Sequence, residues 1–407
     1  MDLNKDMVLY ETPKDWIAYD APSITNALAE AKGSVLSLKT VPYQRRWVEA
    51  LQQIELKREV AGTSRIEGAE FTERELEAAM KETPEQLLTR SQKQAHAAVQ
   101  AYRWIARIPH DRPVNQDLIL AIHRKMVTGA DDDHCPPGEI RYRDQNVNFG
   151  VPRHRGVEGG EECQRAIEAF TLALQHEYHE HDPIVQALAA HYHLAAMHPF
   201  LDGNGRTARA LEALMLQRAG LRDTSFIAMS NYYYDEKTNY LATLTEARKG
   251  NHDLTPFLTF ALKGVALQSQ RLLKEIQHEI SKELFRNLMF DLFNRLKTPR
   301  KRVLAERQLG ILQILLAEEK IEWTKLIERT RGLYKVKNPI KALVRDVNNL
   351  SALKAISVDK IGEGHYLIGV RLEWPTEVTE TQFFEQVKKL PKAKTYSFLQ
   401  QPVDDFE

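Results

Sequence analysis

The chain has 407 residues, with 56 Lys and Arg balanced by 56 Asp and Glu, and 28% of its residues are charged against 43% hydrophobic. That length suggests two or three domains able to bury their own cores, and the composition excludes a disordered polyelectrolyte. Cys135 and Cys163 cannot make a disulfide framework, the start MDLNKDMVLYETPKDW lacks the apolar core of a signal peptide, and no run approaches about 18 apolar residues, so the expected setting is cytosolic with no membrane span.

Helical periodicity dominates from about residue 44 to 297. Thr72-Glu73-Arg74-Glu75 is a capping box with Phe71 and Leu76 placed as a staple, which predicts a helix from Glu73, directly after the segment Thr63 to Gly68. Cys135 follows Asp131-Asp132-Asp133-His134 in what reads as an exposed loop. Residues 138 to 155 hold Gly, Pro and a short alternating stretch, read as a hairpin or extended flap. Asp182 and Pro183 open a helix that Pro199 stops, and a further helix from Arg206 ends at Gly220.

From 265 to 297 Leu273, Ile276, Ile280, Leu284, Leu288, Leu292 and Leu296 recur every three or four residues. This spacing predicts a long amphipathic helix, one side of which is suited to a second copy and hence to a homodimer. Past Thr298 and Pro299 three helical patterns (304 to 318, 323 to 330, 338 to 349) precede two alternating stretches across Gly362-Glu363-Gly364, a winged helix-turn-helix pattern. Residues 294 to 345 carry fourteen basic and five acidic side chains, an excess of nine positive charges hidden in the zero total. From about 375 no period is evident.

The most informative twelve residues are His198 to Arg209, HPFLDGNGRTAR. They join two helices through a glycine-rich loop, so the amides of Gly203, Asn204 and Gly205 fall at the positive end of the following helix and form an anion nest. Arg206 and Arg209, three apart on its first turn, reach toward the same place. Asp202 offers an oxygen to Mg²⁺, whose shell phosphate oxygens would complete, and His198 can take a proton from a hydroxyl at neutral pH. A base, a metal carboxylate and a phosphate cradle imply phosphoryl or nucleotidyl transfer without saying which phosphorus is attacked. No Lys-Ser/Thr pair follows the second glycine as a P-loop needs, and an EF-hand starting at Asp202 would place its glutamate at Ala213. A plain helix-helix turn is the structural alternative.

This stretch matches HPFxDGNGRxxR without a substitution, and in it the chain resembles the Fic (filamentation induced by cAMP) family; the similarity extends over about residues 40 to 265. The resemblance implies a mainly α protein: an N-terminal Fic-type region with an inhibitory helix (1–95), a Fic catalytic core with a β-hairpin flap (96–265), a linking helix (266–298), a C-terminal winged helix-turn-helix domain (299–375) and a tail (376–407). It implies a protein adenylyltransferase that uses ATP and Mg²⁺ to modify a Ser, Thr or Tyr hydroxyl of a protein target. In that scheme His198 is the base and Asp202 the metal ligand. Gly203, Asn204, Gly205, Arg206, Thr207 and Arg209 bind the nucleotide, and the flap aligns the target by strand addition. Asn231, Tyr232, Asn239 and Tyr240 are candidates to close over adenine, Tyr240 first. Thr63-Ser64-Arg65-Ile66-Glu67-Gly68 resembles the family's inhibitory pattern: Glu67, with Thr63 opening the motif, would pair with Arg209 and hold ATP in a pose unsuited to transfer. Some family members use this glutamate to remove AMP again.

Two other readings stand beside it. Lys335, Lys337, Lys341 and Arg345 on or before the proposed recognition helix suit a DNA-binding regulator, though such a surface can equally take a protein. His176, His179, His181 and Asp182, or His191, His193 and His198, suit a metal-dependent hydrolase.

Overall fold

The computed structural model describes residues 7–41, 45–81, 86–142, 145–150, 153–220, 227–296, 299–362 and 364–390. It divides into two compact units, Met1–Glu275 and Ile276–Glu407, with the division inside one long helix.

In the first unit β1 (Val8–Leu9) leads to α1 (Ala21–Thr40), α2 (Arg45–Ile66), α3 (Glu73–Lys81), α4 (Arg90–Ile105) and α5 (Gln116–Val127). The capping box at α3 forms as expected: the Thr72 amide donates to Glu75 Oε2 at 2.7 Å and the Glu75 amide donates to Thr72 Oγ1 at 3.3 Å. Two short strands, β2 (Asn148–Phe149) and β3 (His154–Arg155), make the expected flap; residues 143–144 and 151–152 of that stretch lie outside the described residues. β1 was not anticipated: it adds to β3 in parallel, with Val8 opposite His154, giving the order β1-β3-β2. Two residues of strand are too short to leave a periodic signal.

After α6 (Glu161–Gln175) come α7 (Pro183–Met197) and α8 (Asn204–Arg218), which form the centre of the unit; nearly every residue of both is buried. Asp182 caps α7, its carboxylate accepting from the Ile184 amide at 3.0 Å, as the Asp-Pro pair predicts. Helix α8 begins at Asn204, two residues before the expected Arg206, because Gly203 at φ +74° turns the chain directly into it. Helices α9 (Met229–Asp235) and α10 (Lys237–Lys249) complete the wall, and α11 (Thr255–Asn294) starts ten residues earlier than its leucine spacing suggests.

In the second unit the buried face of α11 is Phe285, Met289, Leu292 and Phe293; of the predicted stripe Ile276, Leu292 and Leu296 are buried, while Leu284 is exposed, one position before buried Phe285. Those aromatic residues pack with α12 (Pro299–Glu318), α13 (Trp323–Thr330) and α14 (Pro339–Ala352) in one core. The two expected strands, β5 (Ile356–Gly362) and β6 (His365–Val370), pair antiparallel, and a third, β4 (Lys320–Glu322), adds to β6; Glu363, between β5 and β6, lies outside the described residues. The stretch past 375 is not featureless. After the short α15 (Trp374–Glu377), Thr379 and Gln382 form a capping box that starts α16 (Glu380–Lys389), and buried Trp374 and Phe383 anchor both to the core. Residues 391–407 lie outside the described residues. Among the described residues no helix is long and apolar enough to cross a membrane.

Candidate active site

The site is built where α7 ends and α8 begins. His198 closes α7 in the left-handed region at φ 54°, uncommon for a residue with a Cβ, and three contacts hold it there. Its Nδ1 donates to the Ala195 carbonyl at 2.8 Å, Arg141 Nε donates to its carbonyl at 2.9 Å, and Phe149 of the flap stacks on its ring at 3.9 Å. Gly156 lets the flap pass this close, since a Cβ there would lie 2.6 Å from the Met197 carbonyl oxygen. Burial pushes the imidazolium down to about 4, so the ring is neutral near pH 7, with Nδ1 carrying the proton and Nε2 left as an acceptor.

The loop after it is held by side chains that look like ligand contacts in the sequence. Asn204 brackets Phe200, accepting from its amide at 2.9 Å and donating to its carbonyl at 2.8 Å. Thr207 Oγ1 donates to the Gly203 carbonyl at 2.8 Å, and the Gly203 amide donates to Asp202 Oδ1 at 2.5 Å. The amides of Asn204 and Gly205, in the first turn of α8, have no carbonyl four residues back within the helix and point out of its N-terminus.

Arg209 lies beneath that turn, buried, and is held from α2. Its Nε donates to Thr63 Oγ1 at 2.9 Å, and Nη2 donates to the Thr63 carbonyl at 3.2 Å and to Glu67 Oε1 at 2.5 Å. The Glu67 carboxylate sits over the helix end: a Cβ on Gly205 would fall 2.3 Å from its Oε1. Burial works to raise the Glu67 carboxyl, but Arg209, with Arg206 and His198 beyond it, holds it below the usual range. Glu67 therefore pairs with Arg209 close beside the N-terminus of α8.

Arg206 turns the other way. It is buried, with Nη1 donating to Asp131 Oδ2 at 2.6 Å and Nη2 to Asp202 Oδ1 at 3.3 Å. Asp131 also accepts from Arg90 Nε at 2.9 Å and from Gln94 at 2.9 Å. Sequence reading missed Asp131, although a buried guanidinium requires a partner and three consecutive aspartates offered one. Cys135, expected in an exposed loop, is buried instead against His123, whose Nε2 donates to the Asp202 carbonyl at 3.1 Å.

Among the described residues, Asp131, His134 and Asp202 are the group whose ligand atoms converge, all within 4.8 Å. Asp131 is saturated by Arg206, Arg90 and Gln94, whereas Asp202 is one-third exposed and its Oδ2 accepts only from His134 Nε2 at 3.0 Å, with Arg90 3.6 Å away. One accessible carboxylate beside an anion nest fits Mg²⁺, which takes one or two carboxylates and draws its remaining oxygens from phosphates and water. The histidines suggested as hydrolase ligands do not converge: His191 is held by Glu212 and Tyr240, and His193 donates to the Trp16 carbonyl at 2.6 Å.

Tyr240 is buried beside Arg209 and its hydroxyl lies 2.9 Å from His191 Nε2. Asn239 is exposed and donates to Glu236 at 2.7 Å, Asn231 donates to Asp235 at 2.6 Å, and Tyr232 stacks on Phe260. Tyr240 is thus the one of the four next to the arginine.

The sequence profile of the Fic/DOC family matches residues 113–216. Over 163 residues the chain is 38% identical to protein adenylyltransferase fic-1 of Caenorhabditis briggsae, covering 39% of this chain and 28% of that protein. Over 157 residues it is 31% identical to protein adenylyltransferase Fic of Nematostella vectensis, covering 38% and 33%. The chain thus spans only about a third or less of the length of these curated relatives. In fold it resembles a crystal structure of a Fic family protein from Desulfovibrio desulfuricans, with TM-score 0.56 and 17% identity over 89% of this chain and 98% of that one. It also resembles Fic-1 (residues 134–508) of C. elegans, with TM-score 0.52 and 23% identity over 64% and 76%.

Proposed function

We propose that this chain, which carries a Fic/DOC family domain at residues 113–216, is a protein adenylyltransferase that works on ATP and is restrained by its own Glu67. The observation that carries this reading is the shared position of a neutral, acceptor-ready His198 and a glycine-lined helix end flanked by Arg206 and Arg209. In the reaction the hydroxyl oxygen of the target forms a bond to the α-phosphorus of ATP and the bond to the bridging oxygen breaks, releasing pyrophosphate. The hydroxyl proton passes to His198 Nε2, the nitrogen left open by the Nδ1 contact to Ala195. The amides of Asn204 and Gly205 receive phosphate oxygens, and Arg209 takes the outer phosphate once Glu67 has left it. Asp202 would hold the Mg²⁺ that accompanies the nucleotide, which supplies charge neutralisation on the departing pyrophosphate. Gly203 and Thr207 shape the loop, Thr63 braces Arg209, and Tyr240 walls the pocket beside that arginine. The target segment lies along the flap by strand addition at the β2 edge, since β1 already pairs with β3.

Incorporation of α-labelled ATP tests the assignment. Glu67→Gly is expected to label itself or a lysate protein well above wild type, and His198→Ala in the same background to abolish labelling. Equal signal from all three would overturn it.

A second reading concerns the other unit, which we read as a winged helix-turn-helix domain. Exposed Lys335, Lys337 and Lys341 precede or open α14, with no carboxylate bonded to them among the described residues. This favours an added contact to nucleic-acid phosphates, which a mobility shift that weakens steeply with salt would support.

A further inference from the structure

Behind the flap lies a second polar cavity that the reaction does not use. His154 of β3 is 1% exposed, and both of its ring nitrogens are buried without a hydrogen-bond partner. The hydroxyl of Tyr10, just after β1, and Nε of Arg248, in the last turn of α10, are likewise buried and unpartnered. All three residues line one cavity of ≈ 10 Å³, together with Arg155 and His252. His252 is already satisfied, since its ring lies 2.8 Å from the Tyr192 hydroxyl and donates to the Glu11 carbonyl at 2.9 Å.

The charges there do not balance. Arg248 and Arg155 border the space, and among the described residues no carboxylate lines it. Arg248 packs its guanidinium over the Phe149 ring at 5.1 Å and otherwise donates to Thr245 at 3.4 Å. The groups near enough to favour its charge are the phenols of Tyr192 and Tyr240, and burial keeps both protonated. A half-buried guanidinium without an anion is costly, and unpaired N–H and O–H groups aimed into one space add to that cost. The space suits a single small occupant, a water or a monatomic ion.

We propose that this cavity binds a single small inorganic monoanion, chloride being the probe of choice, through Arg248, His154 and Tyr10. Such an ion would tie β1, β3 and the end of α10 together behind the ring that stacks on His198. It would therefore help seat the flap.

The test uses the full chain and does not depend on transfer activity. Thermal unfolding is followed in sodium chloride and in sodium gluconate at equal ionic strength, and crystals soaked in sodium bromide are examined for anomalous scattering. Chloride is expected to raise the Tm saturably by about 2 °C or more, as a ligand of the native state alone must. Arg248→Met should lose that rise, and bromide should give a peak between Arg248 and His154. His154→Phe serves as the second variant if Arg248→Met does not fold. Equal Tm in both salts with no bromide peak would mean that water alone fills the cavity, and a chloride effect that survives both variants would place the ion elsewhere; either result overturns the proposal.

Discussion

Replacing Asp131 by Asn would leave the Arg206 guanidinium buried with only a long contact to Asp202. Breaking a buried pair in this way costs about 3 kcal/mol or more, so urea unfolding of Asp131→Asn should show a correspondingly lower midpoint. Transfer should fall with it, because Arg206 would no longer be aimed. The pH behaviour of the site follows from two groups. Arg209 holds Glu67 low against the opposing effect of burial, so their pair is intact above the ordinary glutamate range and is lost only as pH falls through the lower folded value. His198, lowered to about 4 mainly by burial, stays neutral over the same range. Glu67 is among the groups that raise His198, so removing it moves that midpoint further down. Labelling by Glu67→Gly should therefore owe no slope to His198 between about pH 6 and 8 and fall only below about pH 4, a profile measurable with α-labelled ATP.

At the scale of elements, the position of Glu67 depends on how α2 is docked. Gly62 lies against the start of α9, where a Cβ would come 2.3 Å from the Ser230 carbonyl carbon. One turn earlier Glu59 accepts from the Ser230 amide at 2.9 Å and from the Tyr102 hydroxyl at 2.7 Å, and Lys237 of α10 donates to the Ile66 carbonyl at 2.8 Å, at the end of α2. Gly62→Ala must push α2 away from α9, and Lys237→Ala removes the tie at its last turn. Both are expected to raise labelling above wild type without touching Glu67, with Gly62→Ala also lowering Tm; unchanged labelling in both would mean that docking does not set the brake. The capping boxes at Thr72 and Thr379 illustrate how much of an element boundary is local chemistry. The first is read from residues alone, whereas α16 went unrecognised because its helix is one short turn pattern whose anchor, Phe383, packs on Trp374 nine residues earlier.

For the whole molecule, the division at Glu275 makes a direct prediction. A chain ending there, in the Glu67→Gly background, should keep its labelling of itself, since every residue assigned to transfer lies before that point. The remaining unit should carry any salt-dependent nucleic-acid binding, and Lys335, Lys337 and Lys341 changed together to Ala should weaken it.

The residues alone were enough to single out the candidate site, because its parts lie within twelve consecutive positions joined by one loop, and local chain geometry suffices to bring a histidine, a helix end and two arginines together. They also marked Glu67, through the spacing from Thr63 to Gly68. What required the folded molecule was every pairing across distance: Asp131 with Arg206, β1 with the flap, and Gly62 with Ser230. Each joins elements separated by dozens of residues, where neither period nor motif constrains the partner. Only packing decides which buried charge meets another.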